Sequence, residues 1–212
     1  ADYLDIPNEG AKPRLYRNDG FGNFTDVTKE TGIYRVHLAM GANFGDLDND
    51  GFNDFYLGTG APLFDAVTPN IMYKNYHGDK FIDVTFAGGF GHLQKGHGVA
   101  FGDLDRDGDQ DIFLQIGGFF PGDGFSNALY ENPGHGNNWI TIKLIGTQSN
   151  TAAIGAKIKI LIEDQIGNRS IYATVNSGGS FGSSSLQQEI GLGNADYIKY
   201  IEVYWPSTGT TQ

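Results

Sequence analysis

Two patterns of apolar spacing divide the chain. From Trp139 onward, apolar and polar residues alternate one for one. Ile140, Ile142 and Leu144 interleave with Thr141 and Lys143, and Ala156, Ile158, Ile160 and Ile162 with Lys157 and Lys159. Ile171, Ala173 and Val175 likewise alternate with Tyr172 and Thr174. A strand sends successive side chains to opposite faces, so each run predicts a half-buried strand. Adding residues 186–191 and the run Ile201, Val203, Trp205 gives about five strands, enough for a small antiparallel sandwich or barrel. Before Trp139 the apolar runs are shorter, and they recur.

The recurrence has a period of 57 residues. Leu15-Tyr-Arg-Asn18 returns as Met72-Tyr-Lys-Asn75 and again as Leu129-Tyr-Glu-Asn132. Phe24-Thr-Asp26-Val-Thr28 returns as Phe81-Ile-Asp83-Val-Thr85; Gly41 and Phe44 match Gly98 and Phe101. Each unit parses into four strands, which in the complete copy are Gly41 to Gly45, Asp54 to Leu57, Ile71 to Asn75 and Lys80 to Thr85. Four short strands per repeat predict a β-propeller blade. Residues 14–28 hold the last two strands of one blade, 41–85 a whole blade and 98–132 three strands of a third. The expectation is all-β, with about two and a half propeller blades over 1–138 and the small β-domain over 139–212. Propellers close with about four to eight blades, so the chain is expected to be the C-terminal part of a longer protein, with an open blade edge where the missing blades or another chain would dock.

The connection between the first two strands of each unit carries the chemistry. Asp46-Leu-Asp48-Asn-Asp50-Gly51-Phe52-Asn-Asp54 is repeated as Asp103-Leu-Asp105-Arg-Asp107-Gly108-Asp109-Gln-Asp111. Aspartates at loop positions 1, 3, 5 and 9 surround one point, glycine at position 6 allows the sharp turn, and the carbonyl of Phe52 or Asp109 can serve as a fifth ligand. Such a set of hard oxygens suits Ca²⁺, so two sites are expected. Four carboxylates make six pairs, each costing roughly 1–4 kcal/mol at about 4 Å. Against a stability of about 5–15 kcal/mol, that repulsion calls for a cation. The rival reading is an Asx-turn left in water, and two copies in matched flanks weigh against it. An EF-hand is excluded, because position 12 is Leu57 or Leu114 and both flanks read as strands.

Composition narrows the partners. The formal net charge is −11, and two Ca²⁺ would bring it to −7, so nucleic acid and anionic membranes are poor partners. Cysteine is absent, which removes disulfides and thiol catalysis, and no apolar run is long enough for a spanning helix. The 32 glycines and 13% aromatics fit a turn-rich β-protein. Loops 58–69 and 116–126 differ between repeats and are the expected seats for a glycan or protein ligand, the second through Phe119, Phe120 and Asp123. The five histidines show no zincin spacing, and Gly178 to Ser185 lacks the lysine of a phosphate loop and reads as a flexible hairpin. Asp26 and Asp83, repeated within a strand motif, read as structural.

At these motifs the chain resembles a known combination, FG-GAP/VCBS-type propeller repeats followed by an ASPIC/UnbV domain, as in the cartilage acidic protein family and its bacterial relatives. The C-terminal likeness rests on Asn138-Trp139, Ile154-Gly-Ala156, Ser177-Gly-Gly-Ser180, Gly191-Leu-Gly193 and Val203-Tyr-Trp205-Pro206. The resemblance implies a secreted or cell-envelope protein with Ca²⁺ in its blade loops, serving adhesion or ligand binding without catalysis. Its metal ligands would fall on Asp46, Asp48, Asp50 and Asp54, and on Asp103, Asp105, Asp107 and Asp111. The rival from another class is an accessory or catalytic part of a Ca²⁺-dependent polysaccharide lyase or hydrolase. Substitutions in either loop are expected to spare the C-terminal domain.

Overall fold

A computed structural model describes residues 12–60, 68–118, 120–165, 167–179 and 181–212. Among them every regular element is a strand. β1 (Tyr16–Asn18) and β2 (Phe24–Asp26) form an antiparallel pair. β3 (Ala39–Gly45), β4 (Asp54–Thr59), β5 (Ile71–Tyr76) and β6 (Lys80–Asp83) form a four-stranded meander in chain order. β7 (Gly96–Gly102), β8 (Asp111–Ile116) and β9 (Ala128–Tyr130) repeat its first three strands. These are the two, four and three strands that the 57-residue period predicts, and among the described residues no ring is closed.

The blades stack through the faces their alternation leaves apolar. Tyr56 and Met72 of the complete blade meet Val99, Phe101, Ile112 and Leu114 of the next in one buried cluster. On the opposite face Phe55, Ile71 and Tyr73 pack with Ile33 and Leu15 of the partial blade. Register follows the acidic loop: Gly45 pairs with Asp54, and Gly102 with Asp111, so each loop closes a β-hairpin.

The remainder is a sandwich of two sheets. β10 (Asn138–Ile142) pairs with β13 (Gln188–Gly193). β12 (Gly167–Thr174), β11 (Lys157–Asp164), β14 (Tyr197–Trp205) and β15 (Thr210–Thr211) lie side by side in that order. Ile158, Ile160 and Ile162 enter a core shared with Ile171, Ile190 and Leu192, while Lys157, at the strand's start, is exposed. The period-2 pattern thus fixes which face is buried.

Residues 61–67 of the first candidate ligand loop, and Phe119 of the second, lie outside the described residues. The stretch after Gly178 is not a free hairpin. Asn43 Nδ2 donates to Val99 O at 3.0 Å and Ser183 O at 3.4 Å, which lays this segment across inner strands β3 and β7.

Candidate metal centre

Each acidic loop follows the same backbone path. Position 4 is left-handed in both, Asn49 with φ 56° and Arg106 with φ 68°, as are Gly51 and Gly108 at position 6. Only short-range hydrogen bonding offsets such a conformation in a residue with a Cβ. Here the carboxylates supply it. Asp46 accepts Asp50 N at 3.0 Å and Gly51 N at 2.7 Å; Asp103 accepts Asp107 N at 3.1 Å and Gly108 N at 3.2 Å. Asp50 and Asp107 in turn accept the amides of Phe52 and Asp109, at 2.8 and 3.0 Å.

These turns gather Asp46, Asp48 and Asp50 so that one oxygen from each lies within 4.8 Å of the others, and do the same for Asp103, Asp105 and Asp107. Asp54 and Asp111, at position 9, tie each loop to its third strand. Asp54 accepts Leu47 N at 2.9 Å and Asn75 N at 2.7 Å, and Asp111 accepts Leu104 N at 3.1 Å and Asn132 N at 2.9 Å. Asn75 and Asn132, of the second and third Tyr-x-Asn motifs, therefore anchor the two acidic loops through their main-chain amides. The repeat in the sequence contains that pairing, although spacing alone does not reveal it.

The donor set fits a hard divalent cation. Asp48 Oδ1 is buried without a hydrogen-bond partner, and such an oxygen costs free energy until something positive meets it. Burial pushes the Asp46 carboxyl up to about 8 and Asp54 up to about 7, with the charges of neighbouring loop aspartates adding to the effect. Burial raises Asp50 as well, followed by the Asp48 charge. In the more exposed second loop, burial is again the first cause raising Asp105 and Asp109.

The two centres differ in their surroundings. Asp48 forms an ion pair with Lys74, whose counterpart one repeat later is Glu131. The first loop is also clasped by the sandwich. Gly193 N donates to Asn49 O at 2.7 Å, Arg169 Nη2 to Asp50 O at 2.7 Å and Asn137 Nδ2 to Asp48 O at 2.7 Å. The Arg169 guanidinium also stacks 5.1 Å from the Phe52 ring centroid. Between the loops, Asn49 Nδ2 donates to Gly108 O at 3.1 Å and Asp109 Oδ1 at 2.7 Å, and Asp46 N to Gln110 Oε1 at 2.9 Å. The sandwich thus forms one wall of the first centre.

That wall needs a glycine. A methyl group at Gly191 would lie 2.2 Å from Asp46 Oδ2 and 2.3 Å from the Asn49 carbonyl carbon. Gly191→Ala is expected to destabilise the protein by about 1–3 kcal/mol. It should also weaken one of two calcium-binding steps by about tenfold while the other is unchanged. Calorimetric titration beside thermal unfolding checks this, and an unaltered first step would remove the sandwich from the site.

Other candidates have structural duties. Asp26 pairs with Arg14 at 2.8 Å and Asp83 with Arg35 at 2.6 Å, and each carboxylate also caps the following threonine amide. His37 meets the Tyr73 hydroxyl at 3.2 Å, and burial lowers its pKa to about 4. Asp123, expected to face a ligand, is 3% exposed and accepts Lys95 Nζ at 2.6 Å.

Two family models match the chain, each over part of it. A model described as FG-GAP-like repeat matches residues 2–57, and one described as ASPIC and UnbV matches residues 146–212. No curated protein matches the chain.

Proposed function

From a chain that joins FG-GAP-like repeats to an ASPIC and UnbV domain, a β-rich module of extracellular type, we infer a calcium-loaded binding or structural module without catalysis. It acts in adhesion or ligand binding outside the cell or in its envelope. The observation that carries the reading is the pair of three-aspartate clusters, the first holding a buried carboxylate oxygen with no partner. Asp46, Asp48 and Asp50, with Asp54, would hold one ion; Asp103, Asp105 and Asp107, with Asp111, the other. Bound there, Ca²⁺ neutralises the clustered carboxylates and so couples its own binding to folding. Lys74 holds Asp48, Asn75 and Asn132 orient the ninth-position carboxylates, and Asn49 makes the two loops a unit. Loops 58–69 and 116–126, which differ in sequence between the repeats, offer the variable surface for a glycan or protein. Among the described residues no helix is long and apolar enough to cross a membrane.

Terbium luminescence tests the reading. Trp139 lies against Gly108, where an added Cβ would come 1.8 Å from the indole, so its ring can sensitise an ion in the second loop. Metal-free protein titrated with Tb³⁺ and excited at the indole band is expected to emit, and calcium should displace the signal competitively. Trp139→Phe should remove most of the emission without changing calcium affinity measured by calorimetry. Emission that is absent, or indifferent to calcium, contradicts the assignment.

A further inference from the structure

The third repeat stops one strand short, and the first two show what belongs in the gap. In the partial blade, Val27 N donates to Leu15 O at 2.9 Å and Leu15 N donates to Thr28 Oγ1 at 2.8 Å. The complete blade repeats both bonds, Val84 N to Met72 O at 3.0 Å and Met72 N to Thr85 Oγ1 at 3.1 Å. Leu129 occupies the same place in the third repeat. The residues that would answer it, one period after Phe81 to Thr85, are Asn138-Trp-Ile-Thr-Ile142. They have lost the Phe-x-Asp-Val-Thr motif and form β10, which pairs with β13 of the sandwich. Among the described residues, no strand lies on the outer side of β9.

The gap has a shape as well as an edge. In the complete blade the Phe81 ring packs against Phe55, with centroids 4.9 Å apart, in the cluster of Ile33 and Tyr73. Phe81 N donates to Thr31 O at 2.9 Å. One period later, Ile33, Tyr73 and Thr31 become Phe90, Tyr130 and Gly88. These three, with Val84 and Leu129, line a groove of about 590 Å³. Ile33 is buried in the cluster that Phe81 packs against, whereas Phe90 remains partly open.

We propose that the outer edge of β9 receives an extended segment of aromatic-x-Asp-Val-Thr type from another polypeptide, which adds the fourth strand of the blade. Main-chain bonds to Leu129 supply the pairing, and the aromatic ring entering between Phe90 and Tyr130 sets the register. The complete blade, with this place filled by its own β6, is the template for the occupant. The inference does not depend on the cation.

The test uses a labelled peptide copying residues 79–86, titrated with the full chain and followed by fluorescence anisotropy. Saturable one-to-one binding is expected. Phe81→Ser in the peptide should raise Kd about tenfold or more, the worth of one buried aromatic ring. N-methylation at the peptide's Val84, which removes the donor to Leu129 O, should weaken binding similarly. Leu129→Pro in the protein should abolish binding, and the two peptide changes decide the matter if that variant does not fold. Absence of saturable binding, or equal affinity for the altered peptides, overturns the proposal. Self-association that covers the edge and that the peptide cannot reverse overturns it equally.

Discussion

Moved from millimolar calcium to excess EDTA at pH 8, the protein is expected to melt about 10–20 °C lower. A site occupied at a hundredfold above its Kd contributes about 2.7 kcal/mol, two such sites about 5 kcal/mol, and each kcal/mol moves the midpoint of a domain this size by about 2–4 °C. The pH dependence gives a sharper reading. Without metal, burial raises the Asp46 and Asp54 carboxyls to about 8 and 7, above their unfolded values near 4. The folded state then binds more protons than the unfolded one across that window. Stability from these groups is complete below about pH 4 and is lost as pH rises through 7 to 8. The calcium-loaded protein should show the opposite slope, because protons compete with the ion for the same oxygens. Melting curves in EDTA and in calcium should therefore separate as pH rises from 5 to 8. Parallel slopes, or a midpoint insensitive to chelation, would remove the metal from both loops.

The second large effect is expected far from the aspartate clusters. Asp123→Ala should cost roughly 3–5 kcal/mol, because it removes the carboxylate from a buried ion pair. Lys95 and Asp123 side chains are 7% and 4% exposed, and Gly118 N also donates to Asp123 O at 2.6 Å, so the pair pins loop 116–126 to the start of β7. Replacing both partners, Lys95→Met with Asp123→Leu, should recover much of the loss, since apolar groups of similar volume carry no desolvation penalty. A midpoint within a degree of the native one after Asp123→Ala would mean the carboxylate is free to meet a ligand, as its place in the loop suggests from sequence alone.

The difference between these two regions explains how much could be read from the chain. Strands β1 to β9 were legible because Leu15, Met72 and Leu129, and the motifs around them, repeat at one spacing; repetition turns weak local signals into a strong one. Asp46 to Asp50 and Asp103 to Asp107 were legible because their geometry is local, set within one tight turn. The roles of Asn75 and Asn132 lay within reach, since they recur with the loops they anchor. Lys95 with Asp123, Arg169 with Asp50 and Gly191 with Asp46 were not legible. Each joins residues far apart in the chain, occurs once, and leaves no period to detect. The loss of the fourth strand in the third repeat falls between these cases. The change from Phe-x-Asp-Val-Thr to Asn-Trp-Ile-Thr-Ile is visible, but its redirection into another sheet requires the fold.

The clasp of Arg169, Gly193 and Asn137 over the first loop bears on time rather than affinity. An ion in the open second loop can leave through solvent. One in the first would have to wait for the sandwich to lift away from Asp48 and Asp50. The two ions should therefore exchange on separate clocks, the outer one following its surroundings and the inner one lagging behind them. Brief dilution of external calcium would empty one seat while the other kept its occupant.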